Sequence, residues 1–456
     1  MFPKGPQLAG LFVLAYLAET MFRTAGLALL LCLVSISGLS QTHYIPSVQD
    51  VEAIYSAAQT TYVDLHEHPE LSFHEVETAR KMADGLRKLG YEVTTGVGGN
   101  GVVGVLKNGN GKTVLIRTDM DALPVPEKTG LPYASKVMVK DDAGHDVPVM
   151  HACGHDFHMA SWLSTATLLS QNKNRWRGTV VMIGQPAEER VAGAAAMLKD
   201  GLFTRFPKPN YAIAIHDSAQ FPAGSVAVVS GFTAANADSV DITIYGKGGH
   251  GAAPDKAVDP IVLAARIILS LQTIVSRETN PLEPAVVTVG SIHGGTKGNI
   301  IPDEVKLELT IRSYKDEVRT HTIEAIQRIC KAEAMAVGAP KEPEIKVKET
   351  VHATYNDPDL SARLTASLKK SLGNERVVKG DPIMGAEDFS EFGRTGVPSV
   401  IMWIGAADPQ KLAQSKQTGI PLPGTHSSLF APSMPDSLKT AIRAESTAAF
   451  ELLDQP

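Results

Sequence analysis

Three cysteines in 456 residues leave little room for a disulfide framework. Cys32 falls in an N-terminal stretch that reads as a removable leader, so Cys153 and Cys330 are the two an exported protein could pair. Their contexts argue against pairing. Cys330 follows Ile323, Ile326 and Ile329 at helical spacing and reads as core, whereas Cys153 sits in a cluster of histidines and an aspartate. No block of lysine or arginine stands out either, and the net charge is -6. That balance excludes the electrostatic footprint of a nucleic-acid binder and points to a small-molecule substrate. Beyond the N-terminus, no uninterrupted apolar stretch reads as long enough to span a bilayer.

The leader is legible from Met21. Met-Phe-Arg is followed by an apolar run over residues 25–36 and then by Ser-Gly-Leu-Ser before Gln41, the charged, apolar and small-residue regions of a secretory signal. Cleavage is expected after Ser40, giving a periplasmic or secreted protein with no stable membrane insertion. Residues 1–20 precede this signal and are themselves apolar over 11–17. Either Met1 is a misassigned start or the two runs form an uncleaved anchor.

The chain beyond the leader is long enough for two domains, with 43% hydrophobic content, 39 glycines and 28 prolines in the whole. Val51, Ile54, Ala58, Tyr62 and Leu65 repeat at helical spacing, and Ser72 with Glu75 reads as a capping box opening a second helix. Strands are expected at 102–106, 113–117, 179–184 and 211–216, alternating with helices at 155–169 and 193–202. This is the α/β layout of a mainly parallel sheet. Near residue 235 the pattern changes to strands with one wet face, Val240-Ile242-Ile244 and Val305-Leu307-Leu309-Ile311, with helices at 260–275 and 318–334. Buried-strand character returns at 399–404, flanked by helices at 360–372 and 437–453. The expected organisation is therefore a leader (1–40), a first catalytic part (41–234), an inserted α+β domain with an open-faced sheet (235–346) and a second catalytic part (347–456).

The densest chemistry is His151-Ala-Cys153-Gly-His155-Asp156-Phe-His158. Thiol, imidazole and carboxylate are zinc-type ligands, and a Cys-Gly-His step at a helix start can aim two of them at one point. The ordinary alternative is a helix N-terminus with a buried thiol and capping polar groups. Downstream, Glu188 and Glu189 follow the strand at 179–184, and His216 closes the strand at 211–215, so polar groups end apolar strands where α/β sheets place their sites. Gly385-Ala-Glu387-Asp388-Phe389 and Gly424-Thr-His426-Ser-Ser are two further polar clusters, each of which could be an ordinary loop. Gly246-Lys-Gly248-Gly-His250-Gly251 has dinucleotide-binding spacing, but it follows an alternating strand and does not open into a helix, so that reading fails on context.

Taken in order, these segments resemble the N-acyl-amino-acid amidohydrolases that include hippurate and auxin-conjugate hydrolases, a branch of the metallopeptidase clan that also holds aminoacylases and glutamate carboxypeptidases. The matching segments are Arg117-Thr-Asp119-Met-Asp121-Ala-Leu-Pro124, residues 150–158 and 184–189, Gly246-Lys-Gly-Gly-His250-Gly-Ala-Ala-Pro254, Asn299-Ile-Ile-Pro302 and Thr425-His426. They cover nearly all of the mature chain. The resemblance implies a two-metal peptidase-like catalytic domain with a mainly parallel sheet, and an inserted lid or dimerisation domain with an antiparallel one. It implies two divalent ions, zinc or manganese, held by Cys153, His155, Glu189, His216 and His426, with Glu188 as general base to a water activated at the metals. Asp119 stands where other branches carry a ligand histidine, and Cys153 where they carry a bridging carboxylate. Asp121 matches a carboxylate that orients a ligand; an ion pair between this segment and Arg117 is the alternative.

The same resemblance gives His250 as donor to the oxyanion, and Asn299 and Arg312 as the grip on the substrate carboxylate. It also implies a homodimer through residues 235–346, so that His250 serves the partner's site; in a monomer it would reach its own by domain closure. The activity implied is hydrolysis of the amide bond of N-acyl amino acids, or of small peptides as in dipeptidases and carboxypeptidases of the clan. Two other classes are a Cys153-nucleophile amidase, which chelation would spare, and a non-catalytic binding protein, which has no need of Glu188 beside five ligands. Residues 137–149 read as a surface hairpin near the site.

Overall fold

In the computed structural model of the chain, which describes residues 43–456, the first helix starts where the sequence caps it. Ser47 Oγ accepts the Asp50 N–H at 3.2 Å and the Asp50 carboxylate accepts the Ser47 N–H at 2.7 Å, a reciprocal cap. The leader expected over residues 1–40 lies outside the described residues. In chain order the elements are α1 (Val48–Glu67), α2 (Val76–Lys88), β1 (Glu92–Val97), β2 (Gly101–Asn108), β3 (Thr113–Asp119), β4 (Met138–Lys140), β5 (Asp146–Pro148), α3 (His155–Gln171), β6 (Gly178–Gln185), α4 (Gly193–Lys199), α5 (Leu202–Arg205), β7 (Tyr211–Pro222) and β8 (Val226–Ala227). After them come β9 (Gly231–Ala234), β10 (Ala237–Tyr245), β11 (Gly249–His250), α6 (Pro260–Thr273), β12 (Ala285–Gly294), β13 (Ile300–Ile301), β14 (Glu304–Ser313), α7 (Asp316–Ala336) and β15 (Glu344–Val351). The chain closes with β16 (Thr354–Asn356), α8 (Pro358–Leu372), β17 (Val377–Val378), α9 (Ser390–Arg394), β18 (Ser399–Ala407), α10 (Pro409–Thr418) and α11 (Asp436–Leu452).

The large sheet runs β1-β2-β6-β3-β7-β18-β8-β17. Its centre, β6-β3-β7-β18, is parallel, and β1, β2 and β8 join antiparallel, so it is a mixed sheet with a parallel heart. The central strands are buried on both faces, which is why they read as unbroken apolar runs. Alternate residues sort cleanly. Val114, Ile116, Val180, Met182, Ile213 and Met402 pack with α1, α2, α3, α8 and α11, whereas Leu115, Val181, Ile183, Ala214 and Ile401 pack with α4, α5, Phe389 and α9.

The second sheet, β12-β14-β10-β15, is antiparallel throughout. Its apolar face meets α6 and α7 in a separate cluster containing Val240, Ile242, Leu307, Leu309, Ile267 and Ile326, and the buried Cys330 belongs to it as expected. The short pair β9–β16 lies where the chain passes between the two sheets.

Several expectations need correction. The small sheet has a fourth strand that the sequence reading did not anticipate, β15, which runs to Val351 past the domain boundary placed at 346; it is an edge strand whose exposed lysines hide its alternation. The expected helix at 193–202 breaks into α4 and α5, since Gly201 adopts φ 89°. Ser72 and Glu75 form no capping box: α2 starts at Val76 without a side-chain cap, Ser72 donates to the distant Asp121, and the Glu75 carboxylate accepts the N–H groups of Phe73 and of the distant Ala187. Finally, α6 with the turn after it, Pro260–Glu278, is long and apolar enough to cross a membrane by length and composition. Its inward residues Leu263, Ala264, Ile267 and Leu271 are core, while Ile261, Val262 and Leu269 are exposed.

Candidate metal centre

The parallel strands β3 and β6 end side by side, with Asp119 opposite Gln185, and His216 on β7 lies opposite Trp403 on β18. Past Gln185 the chain turns sharply. Ala187 and Val191 take the left-handed conformation at φ 50° and 46°, which brackets a short turn carrying Glu188 and Glu189. That strained turn is held from three sides. Asp121 Oδ1 accepts the Glu188 N–H at 3.1 Å, Asp121 Oδ2 accepts the Glu189 N–H at 3.0 Å, and the buried Glu75 carboxylate accepts the Ala187 N–H at 2.8 Å. Ser72 Oγ donates to Asp121 Oδ2 at 2.6 Å.

Cys153 and His155 flank Gly154, whose φ is 78°. A Cβ there would sit 2.5 Å from Asp217 Oδ2, so glycine serves both the turn and the close approach. His155 opens α3 fully buried, with Nδ1 2.7 Å from the Asp121 carbonyl oxygen. That carbonyl can only accept, so Nδ1 holds a proton, and in the neutral ring Nε2 keeps its lone pair. His216 is oriented in the same way by the Asp217 carbonyl at 2.7 Å, leaving its Nε2 3.5 Å from Cys153 Sγ. The exposed His426 is placed by its backbone, at φ 67°, through an N–H to the Ala152 carbonyl at 2.7 Å, and its Nε2 lies 3.4 Å from Glu189 Oε2.

The donors fit divalent cations. His155 Nε2 and Glu189 Oε1 are buried without a hydrogen-bond partner and lie 3.9 Å apart, and Glu188 Oε2 is 3.8 Å from the same nitrogen. Cys153 with His155 and His216, Cys153 with Glu189 and His426, and His155 with Glu188 and Glu189 are each close enough to share one ion. One thiol, three imidazoles and a carboxylate make up a zinc-type set. The electrostatics favour positive charge at this point. Burial, and then the charges of Glu387, Glu189 and Asp388, hold the Glu188 carboxyl well above the usual carboxylate range. Burial pushes Glu189 up to about 7, and burial with the Glu189 charge raises the Cys153 thiol.

A cavity of about 660 Å³ opens onto this cluster, lined by Cys153, Glu188, Glu189, His216 and His426, and also by the half-buried Arg312 from β14. Asn299 and His250 do not line it. They are exposed residues at the β11–β13 pair, His250 within β11 and Asn299 just before β13, and the Gly251 N–H donates to the Asn299 carbonyl at 2.9 Å. Asp119 and Asp121 divide the two readings of their segment. Asp121 orients His155 and the glutamate turn, and Asp119 pairs with Arg117 Nη1 at 2.6 Å. The expected hairpin is β4–β5, tethered beside Glu189 by Asp142, which accepts from Arg190 at 2.6 Å.

Sequence reasoning missed several supporting groups. Glu387 and Asp388, readable as an ordinary loop, bind the fully buried Arg117 at 2.8 and 3.1 Å. His66 on α1 gave no signal as a lone helical histidine. It is buried with Nδ1 2.6 Å from Asp156 and Nε2 3.0 Å from Glu127. Glu127 in turn accepts the Ser135 N–H at 2.6 Å, and the adjacent Lys128 N–H donates to the Ser428 carbonyl at 2.7 Å, two residues past His426.

Comparison with known proteins gives the family. Residues 115–420 match the model of peptidase family M20/M25/M40. The chain is 39% identical to thermostable carboxypeptidase 1 of Saccharolobus solfataricus over 353 residues, 76% of this chain and 85% of that protein. It is 41% identical to the hippurate hydrolase of Campylobacter jejuni over 357 residues, 76% of this chain and 87% of the relative. Among solved structures, a dinuclear metal-binding peptidase of the M20 family from Bacillus subtilis superposes with a TM-score of 0.70 at 31% identity, covering 88% of this chain and 98% of that one.

The His66 cluster sets a pH dependence. Burial opposes its charge, but the Asp156 and Glu127 carboxylates overcome that and push its pKa from 6.5 up to about 10. A raised folded-state pKa gives stability that is full below 6.5 and is lost as pH rises through about 10. The unfolding free energy from urea titration should therefore fall with pH across that window, by up to about 1.4 kcal/mol per pH unit. The slope should be absent in His66→Gln; an equal slope in the variant would assign the effect to other groups.

Proposed function

The chain belongs to peptidase family M20/M25/M40 as a metal-dependent amidohydrolase, and from that premise we propose that it cleaves the amide bond of N-acyl amino acids, with Cys153, His155, Glu189, His216 and His426 as ligands of two divalent cations and Glu188 as the proton carrier. One observation carries the reading. The unpartnered His155 Nε2 and Glu189 Oε1 meet the other donors beside Glu188, in the cavity that Arg312 also lines. Zinc suits the thiolate and three imidazoles, and the carboxylate admits manganese.

Divalent cations held there supply Lewis acidity toward water and toward the scissile carbonyl. Glu188, placed beside the proposed ligands, would take a proton from the attacking water and hand it to the leaving amine, a task contributing about 10² to 10⁴ in rate. Arg312 offers a two-pronged grip for the free carboxylate of the amino acid. Phe221, Val286, Ile383 and Trp403 line the cavity as an apolar wall for the acyl group. A second reading, carboxypeptidase action, is supported by the relative from Saccharolobus solfataricus and uses the same Arg312 contact. A Cys153 nucleophile is disfavoured: burial and the Glu189 charge raise its pKa, and the thiolate is the reactive form.

His250 and Asn299 lie outside the cavity, so an oxyanion donor has to be delivered to it. The proposed route is a dimer through residues 235–346, favoured by the exposed apolar residues Ile261, Val262 and Leu269 on α6, Ile292 on β12 and Ile300 on β13. His250 then serves the partner's site.

Two experiments test these assignments. In hydrolysis of a panel of N-acetyl, N-benzoyl and indole-acyl amino acids together with C-terminally free peptides, Glu188→Gln should retain bound metal and lose roughly 10² to 10⁴ in rate, while Glu189→Gln should lose metal. Equal metal loss in both removes the division of labour, and turnover confined to peptides selects the carboxypeptidase reading. The second mixes His250→Ala with Glu188→Gln under subunit exchange. Action in trans should return up to about a quarter of wild-type activity, because each mixed dimer contains one intact site. No recovery despite demonstrated mixed dimers would place His250 in its own chain's site.

A further inference from the structure

His158 belongs to the cluster that carries Cys153 and His155, yet the proposed ligand set leaves it unused. It sits fully buried on α3, one turn beyond His155, and its ring meets that of His216 edge-on with centroids 4.6 Å apart. Both ring nitrogens are engaged. Nδ1 lies 2.7 Å from Asp119 Oδ1, and Nε2 accepts the backbone N–H of Asp217 at 2.9 Å. The carbonyl of that same residue accepts the Nδ1–H of His216 at 2.7 Å. One residue, Asp217, thus has its amide fixed by His158 and its carbonyl fixed on His216. The other oxygen of Asp119 is held by Arg117 Nη1 at 2.6 Å, so the series is anchored in a buried ion pair.

We propose that His158 is a positioning residue: in its neutral form, protonated on Nδ1, it fixes the Asp217 backbone and through it aims His216 Nε2 at the metal cluster. The inference rests on the proposed role of His216 as a ligand. A carbonyl that is free to rotate leaves His216 free to turn with it, and supporting groups of this kind typically contribute about 10- to 100-fold to metal affinity. The tautomer is set by the donors. An amide N–H can only donate, so Nε2 must present a lone pair, and the remaining proton sits on Nδ1 facing Asp119. A proton on Nε2 would occupy the lone pair that the Asp217 amide uses, so the contact present is that of the ring protonated on Nδ1 alone.

The alternative role is packing alone, and two substitutions separate the possibilities. The Gln oxygen in His158→Gln can reach the Nε2 position and keep the acceptor for Asp217, whereas His158→Asn keeps a donor near Asp119 and loses that acceptor. The probe is cobalt(II) added to metal-stripped full-length protein, read by binding titration and by the thiolate-to-cobalt absorption band of Cys153. His158→Gln should bind within about threefold of wild type with an unchanged band, and His158→Asn about 10- to 100-fold more weakly with a shifted one. Equal affinity and equal spectra for the two variants would overturn the proposal. His216→Ala is the control for its premise: full cobalt binding by that variant refutes the ligand assignment, whereas loss there with no effect of His158→Asn refutes only the role of His158. A measurement on the unaltered protein stands if a variant fails to fold. Ring nitrogen resonances of histidine-labelled, metal-loaded protein should show His158 protonated at Nδ1 and bare at Nε2, and a proton on Nε2 contradicts the proposal.

Discussion

The carboxylate of Asp121 is where the site is tied together. It lies just past the end of β3 and accepts the N–H groups of both Glu188 and Glu189, while the backbone carbonyl of the same residue takes the Nδ1 proton of His155. Two of the proposed ligands and the proposed proton carrier therefore share one anchor, which is itself held by Ser72. The glutamate turn needs such support, because residues on both sides of it are in the left-handed region without being glycine, at a cost of order 1–3 kcal/mol each. The mixed sheet supplies the rest of the placement, since its parallel strands end on this side and carry Asp119, Gln185 and His216 to adjacent positions.

The second constraint is charge. Arg117 is fully buried and meets Asp119, Glu387 and Asp388, one guanidinium among three carboxylates. Burial raises Asp388 to about 7 even though Arg117 opposes the shift. Add Glu188 and Glu189, and the region holds more acid groups than its own cations can neutralise. Burying such groups as anions is costly unless they are paired. Divalent ions remove that imbalance, and binding them is then coupled to the stability of the site and to loss of protons from its ligands.

Most of the fold was legible because parallel strands buried on both faces write themselves as short apolar runs, and because the small sheet alternates. The polar groups of the candidate site were legible where an apolar strand ends, as at Glu188, Glu189 and His216. Local patterns misled where a side chain works at long range. Ser72 and Glu75 look like a helix cap, yet Glu75 supports Ala187, 112 positions away. Glu387 looks like a loop residue until Arg117, 270 positions away, is placed against it. His66 and His158 carry no periodic signature at all, since their roles come from carboxylates that the fold delivers. The end of the small sheet was misjudged because the edge strand β15 pairs on one side only and carries lysines on its exposed face.

The central claim is that five side chains converge as ligands of two divalent ions on which activity depends. Its most direct test is elemental analysis and activity of the full chain before chelation, after it, and after return of zinc or manganese, in wild type and in Cys153→Ala. The account predicts two ions per chain, loss of activity on stripping, recovery with metal, and a lower metal content in the variant. Full activity in metal-free protein, or two retained ions in Cys153→Ala, would contradict it.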